Sequence, residues 1–213
     1  MKSASFRERF RQRAWHANTI VTDTALDQIE AYYLLLNHWN KKINLTALQL
    51  ESLSDHVIDR ILVEPLVAAE AVSRSALEWL DLGSGGGTPA IPIRIVRPLA
   101  RLTLVEARSR KAAFLREAVR ELSLAEVEVI DERFETLAER SAAGTADLVT
   151  ARAVRADAVF FDASCRLLRE GGELLLFTTT NAPSVSVPGL EWSRTIELIP
   201  GTESRLAIFR ARS

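Results

Sequence analysis

The chain has 213 residues, of which 47% are hydrophobic and 26% are charged, with a formal net charge of −1 at pH 7. These values are typical of a soluble globular protein that has one well-buried domain with an appendage, or two small domains. A single cysteine, Cys165, excludes an internal disulfide framework, and no apolar run approaches the roughly 20 residues of a membrane span, so we expect a cytoplasmic protein.

Helical patterns dominate residues 1–75. Apolar residues recur at intervals of three and four over residues 23–42, and Thr22 or Thr24 can cap this helix. A second helical pattern covers residues 53–64, after which Pro65 interrupts or restarts it. We therefore expect residues 1–75 to form a helical N-terminal extension.

Short apolar strands alternate with helical patterns over residues 76–213. The predicted strands are 77–82, 101–106, 126–130, 146–150, 173–178, 194–199 and 205–210. The predicted helices are 89–97, 109–122, 134–141 and 156–169. This alternation indicates an α/β domain with a parallel sheet covered on both faces. The link between the last two strands is too short for a crossover, so they should pair antiparallel. We predict a seven-stranded, mostly parallel sheet.

The glycine-rich segment "DLGSGGG" (residues 81–87) stands at the end of the first predicted strand. Ligands of parallel sheets bind beyond the carboxyl ends of the strands, and Pro89 is a favoured residue for opening the next helix. The second strand ends at Glu106, whose carboxylate can accept both hydroxyls of a ribose. This arrangement favours a nucleoside-cofactor site over a plain tight turn.

The details of the glycine segment favour S-adenosylmethionine over a dinucleotide. The pattern G-x-G-x-x-G fails at its last position, which is Thr88, and the chain has no phosphate-binding P-loop motif. Asp81 precedes the first glycine by two residues, and an acid there suits an ammonium or sulfonium group rather than a pyrophosphate.

Several segments resemble, in order and spacing, those of one known family. They are "HWNKKINLTA" (38–47), "DLGSGGGTPAIPIRIVRP" (81–98), "EARSRKAAFLREAVRELSL" (106–124), "DERFETL" (131–137) and "ARA" (151–153). They resemble the glucose-inhibited division protein B family, bacterial enzymes that methylate guanine N7 in small-subunit ribosomal RNA. The resemblance implies a Rossmann-like class I S-adenosylmethionine-dependent methyltransferase, with S-adenosyl-L-methionine as cofactor and 16S ribosomal RNA or the 30S subunit as partner. We expect a monomer with no bound metal and no contact with a membrane.

The resemblance also implies roles for residues around the cofactor. Gly83, Gly85 and Thr88 would line the methionine and ribose portion, with Asp81 close to the positive charge. Glu106 would bind the ribose.

Further roles fall on residues after the third and fourth strands. Phe134 and Glu135 would border the adenine, although Phe134 could instead be a core residue. Arg152 would lie beside the cofactor and the incoming base, and Arg133 would face the RNA or the target guanine, unless it simply pairs with a neighbouring acid. Arg133 and Arg152 are thus the candidate catalytic residues.

The RNA footprint would combine two basic segments. One is the N-terminal arm, with Lys2, Arg7, Arg9, Arg11 and Arg13; the other is the set of arginines within residues 94–120. Guanine N7 carries a free lone pair and no proton, so the reaction would need positioning rather than a general base.

One departure from the family pattern keeps other functions open. Thr178 and Thr179 stand where the family normally carries lysine followed by glycine. A methyltransferase of the same fold could act on a different RNA or on a small molecule. A non-catalytic module that binds a nucleoside or RNA is the third alternative. The intact glycine segment with Glu106 favours an enzyme, and the ribosomal substrate is the preferred interpretation.

Overall fold

A computed structural model describes residues 3–73, 75–98, 101–141, 144–179 and 188–212. The elements before the sheet are α1 (Ser3–His16), α2 (Asp23–Ile43), a 3₁₀ turn (Leu50–Ser52), α3 (Asp55–Ile58), a π-helical turn (Asp59–Val63) and α4 (Glu64–Ala69). Thr22 is the residue that caps α2, since its hydroxyl accepts a hydrogen bond from the Ala25 N–H at 3.2 Å. Asn44 ends this helix in the left-handed conformation, with φ of 45°. No helix among the described residues is long and apolar enough to cross a membrane.

The remaining elements form one sheet with helices on both faces. The strands are β1 (Glu78–Leu82), β2 (Arg101–Val105), β3 (Val127–Ile130), β4 (Ala146–Arg152), β5 (Leu168–Thr178), β6 (Leu190–Glu197) and β7 (Arg205–Ala211). The helices between them are α5 (Ala90–Val96), α6 (Ser109–Glu121), α7 (Phe134–Arg140) and α8 (Ala158–Leu167). The strand order is β3-β2-β1-β4-β5-β7-β6.

The pairing of the strands confirms the predicted sheet. β1 to β5 are parallel to one another, whereas β7 pairs antiparallel with both β5 and β6. The strand β5 begins at Leu168, five residues earlier than predicted, because α8 ends at Leu167 and the chain enters the sheet directly. Gly171 lies inside this strand with a φ of +75°, and the pairing of β4 with β5 shifts register between Ala146 and Leu148.

The N-terminal helices share one apolar core with a face of the sheet. Phe6 and Phe10 of α1 are fully buried, and the centre of the Phe6 ring lies 5.1 Å from the centre of the Tyr33 ring in α2. The same cluster of buried side chains includes Trp79 of β1 and Ile208 of β7. A second cluster, around α7 and α8, covers the opposite face. The division into an extension (1–75) and a domain (76–213) stays a proposal.

The basic N-terminal segment folds onto the protein instead of extending as an arm. All four of its described arginines form ion pairs with carboxylates of this chain, namely Arg7 with Asp27 and Glu30, Arg9 with Asp55, Arg11 with Asp23, and Arg13 with Asp55 and Asp59. Lys2 lies outside the described residues. The apolar face of α1 explains the difference from the expected RNA-binding arm, because burying Phe6 and Phe10 brings the arginines against the acids of neighbouring helices.

Candidate functional site

A cavity of about 500 Å³ opens at the carboxyl ends of β1, β2 and β4. Residues 83–86 of the glycine segment and Glu106 form one side of the cavity, and residues 152–154 form another. The loop after α2 (45–48) and the π-helical turn, through Arg60 and Ile61, complete the lining. The N-terminal helical region and the sheet therefore build this cavity together.

The glycine segment needs glycine at position 83. The Gly83 and Ser84 N–H groups donate to the carbonyl of Val105 at 2.9 and 3.0 Å, which ties the turn to the end of β2. Gly83 has a φ of +73°, and a Cβ added there would lie 2.8 Å from Cγ1 of Val154. Gly85 also has a positive φ, of +53°. The conformation of the turn thus excludes side chains where the chain borders the cavity.

Glu106 connects the end of β2 to the glycine segment. One carboxylate oxygen accepts from the Gly85 N–H at 2.8 Å, and the other accepts from the Arg108 N–H at 2.8 Å. The residue is only 7% exposed, yet it lines the cavity. A carboxylate offers about four acceptor positions, so each oxygen keeps one for a ligand hydroxyl.

Asp81 lies beneath the glycine segment and does not line the cavity. It is 1% exposed, and its carboxylate accepts from the Thr150 hydroxyl at 2.6 Å, which in turn accepts from the Trp79 indole N–H at 2.9 Å. The Ser84 hydroxyl donates to the Asp81 carbonyl at 2.9 Å. Burial raises the pKa of Asp81 from its ordinary 3.8 to about 6. The structure places this carboxylate as a support for the turn.

Arg152 lines the cavity from the end of β4 and is held by the helical region. Its guanidinium forms an ion pair with Glu64, donates to the carbonyl of Arg60, and has its carbon 4.7 Å from the centre of the Phe177 ring. The side chain is 7% exposed. Burial lowers the pKa of Arg152 well below its ordinary value, and the nearby charge of Arg60 acts in the same direction. Its Nε has no hydrogen-bond partner among the described residues.

The π-helical turn joins the cavity to three other elements. The hydroxyl of Thr88, the residue after the glycine segment, donates to the carbonyl of Ile61 at 3.0 Å. Arg60 pairs with Glu64 at 3.2 Å, and Asp59 accepts two hydrogen bonds from Arg13 at 2.8 and 2.6 Å. Thr88 therefore lies at the cavity as predicted, although its hydroxyl also serves a structural contact.

Besides Asp81, three of the predicted site residues do not line this cavity. Arg133 precedes α7 with its side chain 70% exposed, and it pairs with Glu135 at 2.7 Å. The Phe134 ring meets the Phe160 ring edge to face, with the ring centres 5.9 Å apart. The structure thus brings Gly83, Gly85, Thr88, Glu106 and Arg152 together. Arg133 and Phe134 make the contacts that their alternative interpretations proposed, and Glu135 is the acid with which Arg133 pairs.

Sequence reasoning missed several residues of the cavity. They are Leu36, residues 45–48, Arg60, Ile61, Arg108 and Lys111. The segment 45–48 could have been found, because the turn "NLTA" is among the most specific parts of the family resemblance. Arg60 carried no local signal, since its place in the cavity depends on the packing of distant segments.

Comparisons with known proteins point in one direction. Residues 25–183 match the model of the GidB family, described as rRNA small subunit methyltransferase G. A ribosomal RNA small subunit methyltransferase G from Neisseria gonorrhoeae is 39% identical over 154 residues, which cover 71% of this chain and 70% of that protein. One from Xanthomonas axonopodis pv. citri is 36% identical over 186 residues, covering 79% and 83%.

Solved structures of low identity share the fold. The cofactor-bound Rv0187 from MTB superposes with a TM-score of 0.64 at 19% identity, covering 94% of this chain and 95% of that one. TrmN from Thermus thermophilus gives a TM-score of 0.53 at 18% identity, covering 70% of this chain and 48% of that one. At these identities the likeness concerns the fold alone.

Proposed function

The chain belongs to the rRNA small subunit methyltransferase G family, and from this premise we propose that it transfers a methyl group from S-adenosylmethionine to N7 of a guanine in 16S ribosomal RNA. The family resemblance noted in the sequence is thereby confirmed, and the fold is that of a class I methyltransferase. The observation that carries the proposal is the cavity in which Glu106 and the glycine segment meet.

The residues of the cavity fit the cofactor. A volume of about 500 Å³ suits a nucleoside-sized ligand, since small-molecule sites span roughly 300–1,000 Å³. Glu106 presents unused acceptor positions to ribose hydroxyls, and Gly83 and Gly85 place bare backbone beside the ligand. Asp81 supports this turn from below. We assign no cofactor contact to Phe134 or Glu135.

The chemistry requires positioning and no general base. When bound, S-adenosylmethionine supplies an electrophilic methyl group: the N7 lone pair of guanine forms the new N–C bond while the sulfur keeps the electrons of the broken C–S bond. No proton moves, and the guanine ring gains the positive charge. The chain's contribution is to hold both partners in line and to exclude water. Arg152, buried between Glu64 and Phe177, fixes the wall of the cavity where the base would enter.

The RNA would approach over the first half of α6. The exposed cations there are Arg108, Arg110 and Arg116, with the half-buried Lys111 between them. Their side chains form no ion pair or hydrogen bond with another residue in the described ranges, and Arg108 and Lys111 reach the cavity. Free cations beside a nucleoside site suit the phosphates of 16S ribosomal RNA within the 30S subunit. We also propose that this activity belongs to a cytoplasmic monomer.

A pair of glycine variants tests the proposal. Gly83→Asp adds a side chain whose Cβ alone would lie 2.8 Å from Cγ1 of Val154. We therefore expect calorimetry to detect no binding of S-adenosylmethionine. Gly171→Asp is the matched control, because Gly171 has a similar φ of +75° and an added Cβ would meet nothing within 4 Å. With small ribosomal subunits as acceptor, the wild type and the control should form 7-methylguanosine, detected by mass spectrometry of the digested RNA.

Two results would contradict the proposal at different points. Unchanged cofactor affinity in Gly83→Asp would remove the cavity as the cofactor site. Cofactor binding by the wild type without any methylation of small-subunit RNA would favour the alternative acceptors, a different RNA or a small molecule.

A further inference from the structure

A second cavity, of about 450 Å³, adjoins the cofactor cavity on the side of β5. The two cavities share Leu48 and Arg60. The second is also lined by His56, by Thr179 just after β5, and by Ile199, Thr202, Glu203 and Ser204 between β6 and β7. Since β5 and β7 lie beyond β4 in the sheet order, the two cavities follow one another along the carboxyl edge of the sheet. A methyl acceptor must lie in such a neighbouring position.

The lining of the second cavity is acidic, in contrast to the cations of α6. It contains the carboxylates of Asp59, Glu64 and Glu203 with the single guanidinium of Arg60. Asp59 and Glu64 are committed to ion pairs with arginines. Glu203 is exposed and forms no hydrogen bond or ion pair within the described part of the chain. The unpaired carboxylate of Glu203 disfavours a phosphate beside it and suits a base that offers N–H donors and becomes positively charged on methylation.

An unpartnered hydroxyl lies next to this carboxylate. Ser204 is 6% exposed, and its Oγ is buried without a hydrogen-bond partner among the described residues. Native proteins leave few buried polar groups unpaired, and such groups often mark a place where a ligand completes the bonding. Ser204 lines the second cavity, so its unpartnered hydroxyl adjoins the space that a ligand would occupy.

We propose that the second cavity receives the target guanine base, and that Glu203 and Ser204 determine its specificity. The inference rests on the proposed function. Guanine presents N1–H and the 2-amino group side by side, which a carboxylate can accept together, and its O6 can accept from the Ser204 hydroxyl. Adenine lacks the N1 proton and the 2-amino group, so Glu203 disfavours it.

The geometry of the purine supports this orientation. N7 lies on the opposite side of the base from N1 and the 2-amino group. A guanine held by that edge at the turn between β6 and β7 therefore directs N7 toward the boundary of the two cavities, which Leu48 and Arg60 both line. The acceptor atom then faces the cofactor cavity, as an in-line transfer demands.

Variants of the two residues test the inference in the full-length protein. For Glu203→Gln we expect kcat/KM for small-subunit methylation to fall about ten-fold, the size of one good bidentate contact to a base. Ser204→Ala should lower it by roughly three-fold, because one neutral hydrogen bond is lost. In both variants the calorimetric Kd for S-adenosylmethionine should stay within about two-fold of the wild type, since neither side chain borders the cofactor cavity.

A matched control and a rescue complete the test. Glu191→Gln changes an exposed glutamate at the other end of the same hairpin, where it pairs with Arg212, and should leave kcat/KM unchanged. Glu203→Asp keeps the carboxylate, so its kcat/KM should be at least about three times that of Glu203→Gln. This factor is what one retained hydrogen bond would supply.

Four results would overturn the inference. They are an unchanged kcat/KM in both Glu203→Gln and Ser204→Ala, a loss of activity matched by loss of cofactor affinity, an aspartate variant no better than the glutamine variant, and an equal loss in Glu191→Gln. A wild type that methylates no small-subunit RNA would overturn the proposed function as well, and that failure is visible before any variant is compared.

Discussion

Asp81 is a buried carboxylate directly under the turn that borders the cofactor cavity. It is 1% exposed and has the Thr150 hydroxyl as a hydrogen-bond donor. Burial penalises its charged form and raises its pKa to about 6, although the hydrogen bonds from Thr150 and Ser84 act in the opposite direction. The glycine turn therefore stands on a group whose charge changes near neutral pH.

This shift predicts how stability depends on pH. Between its ordinary pKa of 3.8 and about 6, Asp81 binds a proton in the folded protein but not in the unfolded chain. Its contribution to the free energy of unfolding thus falls by up to roughly 3 kcal/mol as the pH rises through this window. Above the window the contribution is constant. We expect Asp81→Asn, which mimics the protonated form, to gain stability relative to the wild type from pH 4 to pH 7. Denaturation by urea at several pH values measures the difference.

An exposed aspartate provides the control for this measurement. Asp131→Asn, whose side chain is at the surface, should shift the free energy of unfolding by a small amount with no rise across this pH range. A difference between Asp81→Asn and the wild type that is independent of pH would contradict the raised pKa.

Residues whose role follows from local chain geometry could be predicted from the sequence. Gly83 and Glu106 stand at strand ends, where the turn conformation and the ligand position are set by the fold itself. The alternation of a strand explains Asp81, because residues two apart share a face and Trp79 points to the same Thr150. The pairing of Glu64 with Arg152 could not be predicted, since no local pattern marks an ion pair between segments this far apart in the chain.

At the scale of elements, the π-helical turn (Asp59–Val63) links three parts of the molecule. Consecutive residues contact α1 through Asp59, the end of β4 through the Arg60 carbonyl, and the glycine segment through the Ile61 carbonyl. Such turns occur often at functional sites, where the extra residue redirects backbone groups. The helical region is therefore connected to the cavity by bonds as well as by apolar packing.

Removing the ion pair between Arg13 and Asp59 tests this link. Arg13→Ala leaves Asp59, which is 7% exposed, as an uncompensated buried charge and should lower the free energy of unfolding by about 3 kcal/mol. The melting temperature should fall by roughly 6–12 °C. Because Asp59 neighbours Arg60 and Ile61, the Kd for S-adenosylmethionine, measured by calorimetry at 20 °C, should rise several-fold.

The control for this variant is another arginine of the same helix. Arg11→Ala removes a pair whose side chains are 61% and 87% exposed, so stability should change by less than about 0.5 kcal/mol and cofactor affinity not at all. Equal effects of the two variants would show that α1 has no special connection to the cavity.

The helical pattern of this region was predictable, but its form was not. The sequence predicts a helix over 53–64 that Pro65 interrupts or restarts, and the second alternative is confirmed: helical turns continue from Asp55 to Ala69, with Pro65 in the first turn of α4. Proline is tolerated there because the N–H it lacks would have little use at that position. The π conformation depends on contacts with α1, β4 and the glycine segment, which local propensity does not encode.

At the scale of the whole molecule, positive charge is sorted into two kinds. The arginines of α1 face carboxylates of their own chain. Arg94 is 4% exposed and donates to backbone carbonyls. The cations at the start of α6 remain unpaired within the described residues and lie beside the cavity. A net charge of −1 therefore does not oppose RNA binding at this one place.

The salt dependence of RNA binding separates the two groups. A triple variant, Arg108→Gln/Arg110→Gln/Arg116→Gln, should reduce the slope of log Kobs against log salt by about 2, since each phosphate contact contributes roughly 0.7–0.9. The double variant Arg9→Gln/Arg11→Gln should leave the slope unchanged, because those side chains bind Asp55 and Asp23. Binding to small subunits between about 50 and 200 mM KCl measures both slopes. A larger effect in the double variant would move the RNA face to α1.

The architecture of the sheet could be predicted because alternating strands and helices permit few topologies. The docking of the N-terminal helices could not, since periodicity shows which face of α2 is apolar but not which surface covers it. The cofactor cavity was therefore predictable only in part. Its sheet side follows from the pattern, while its helical side required the tertiary structure.

The position of β7 has a consequence for synthesis on the ribosome. Although it comes last among the strands in the chain, β7 lies between β5 and β6 and contributes Ile208 to the apolar cluster that contains Phe6. The helices that emerge first therefore lack part of their core until residues 205–211 have left the ribosome. Until then the apolar side chains that β7 covers stay exposed, which is the kind of surface through which incomplete chains associate.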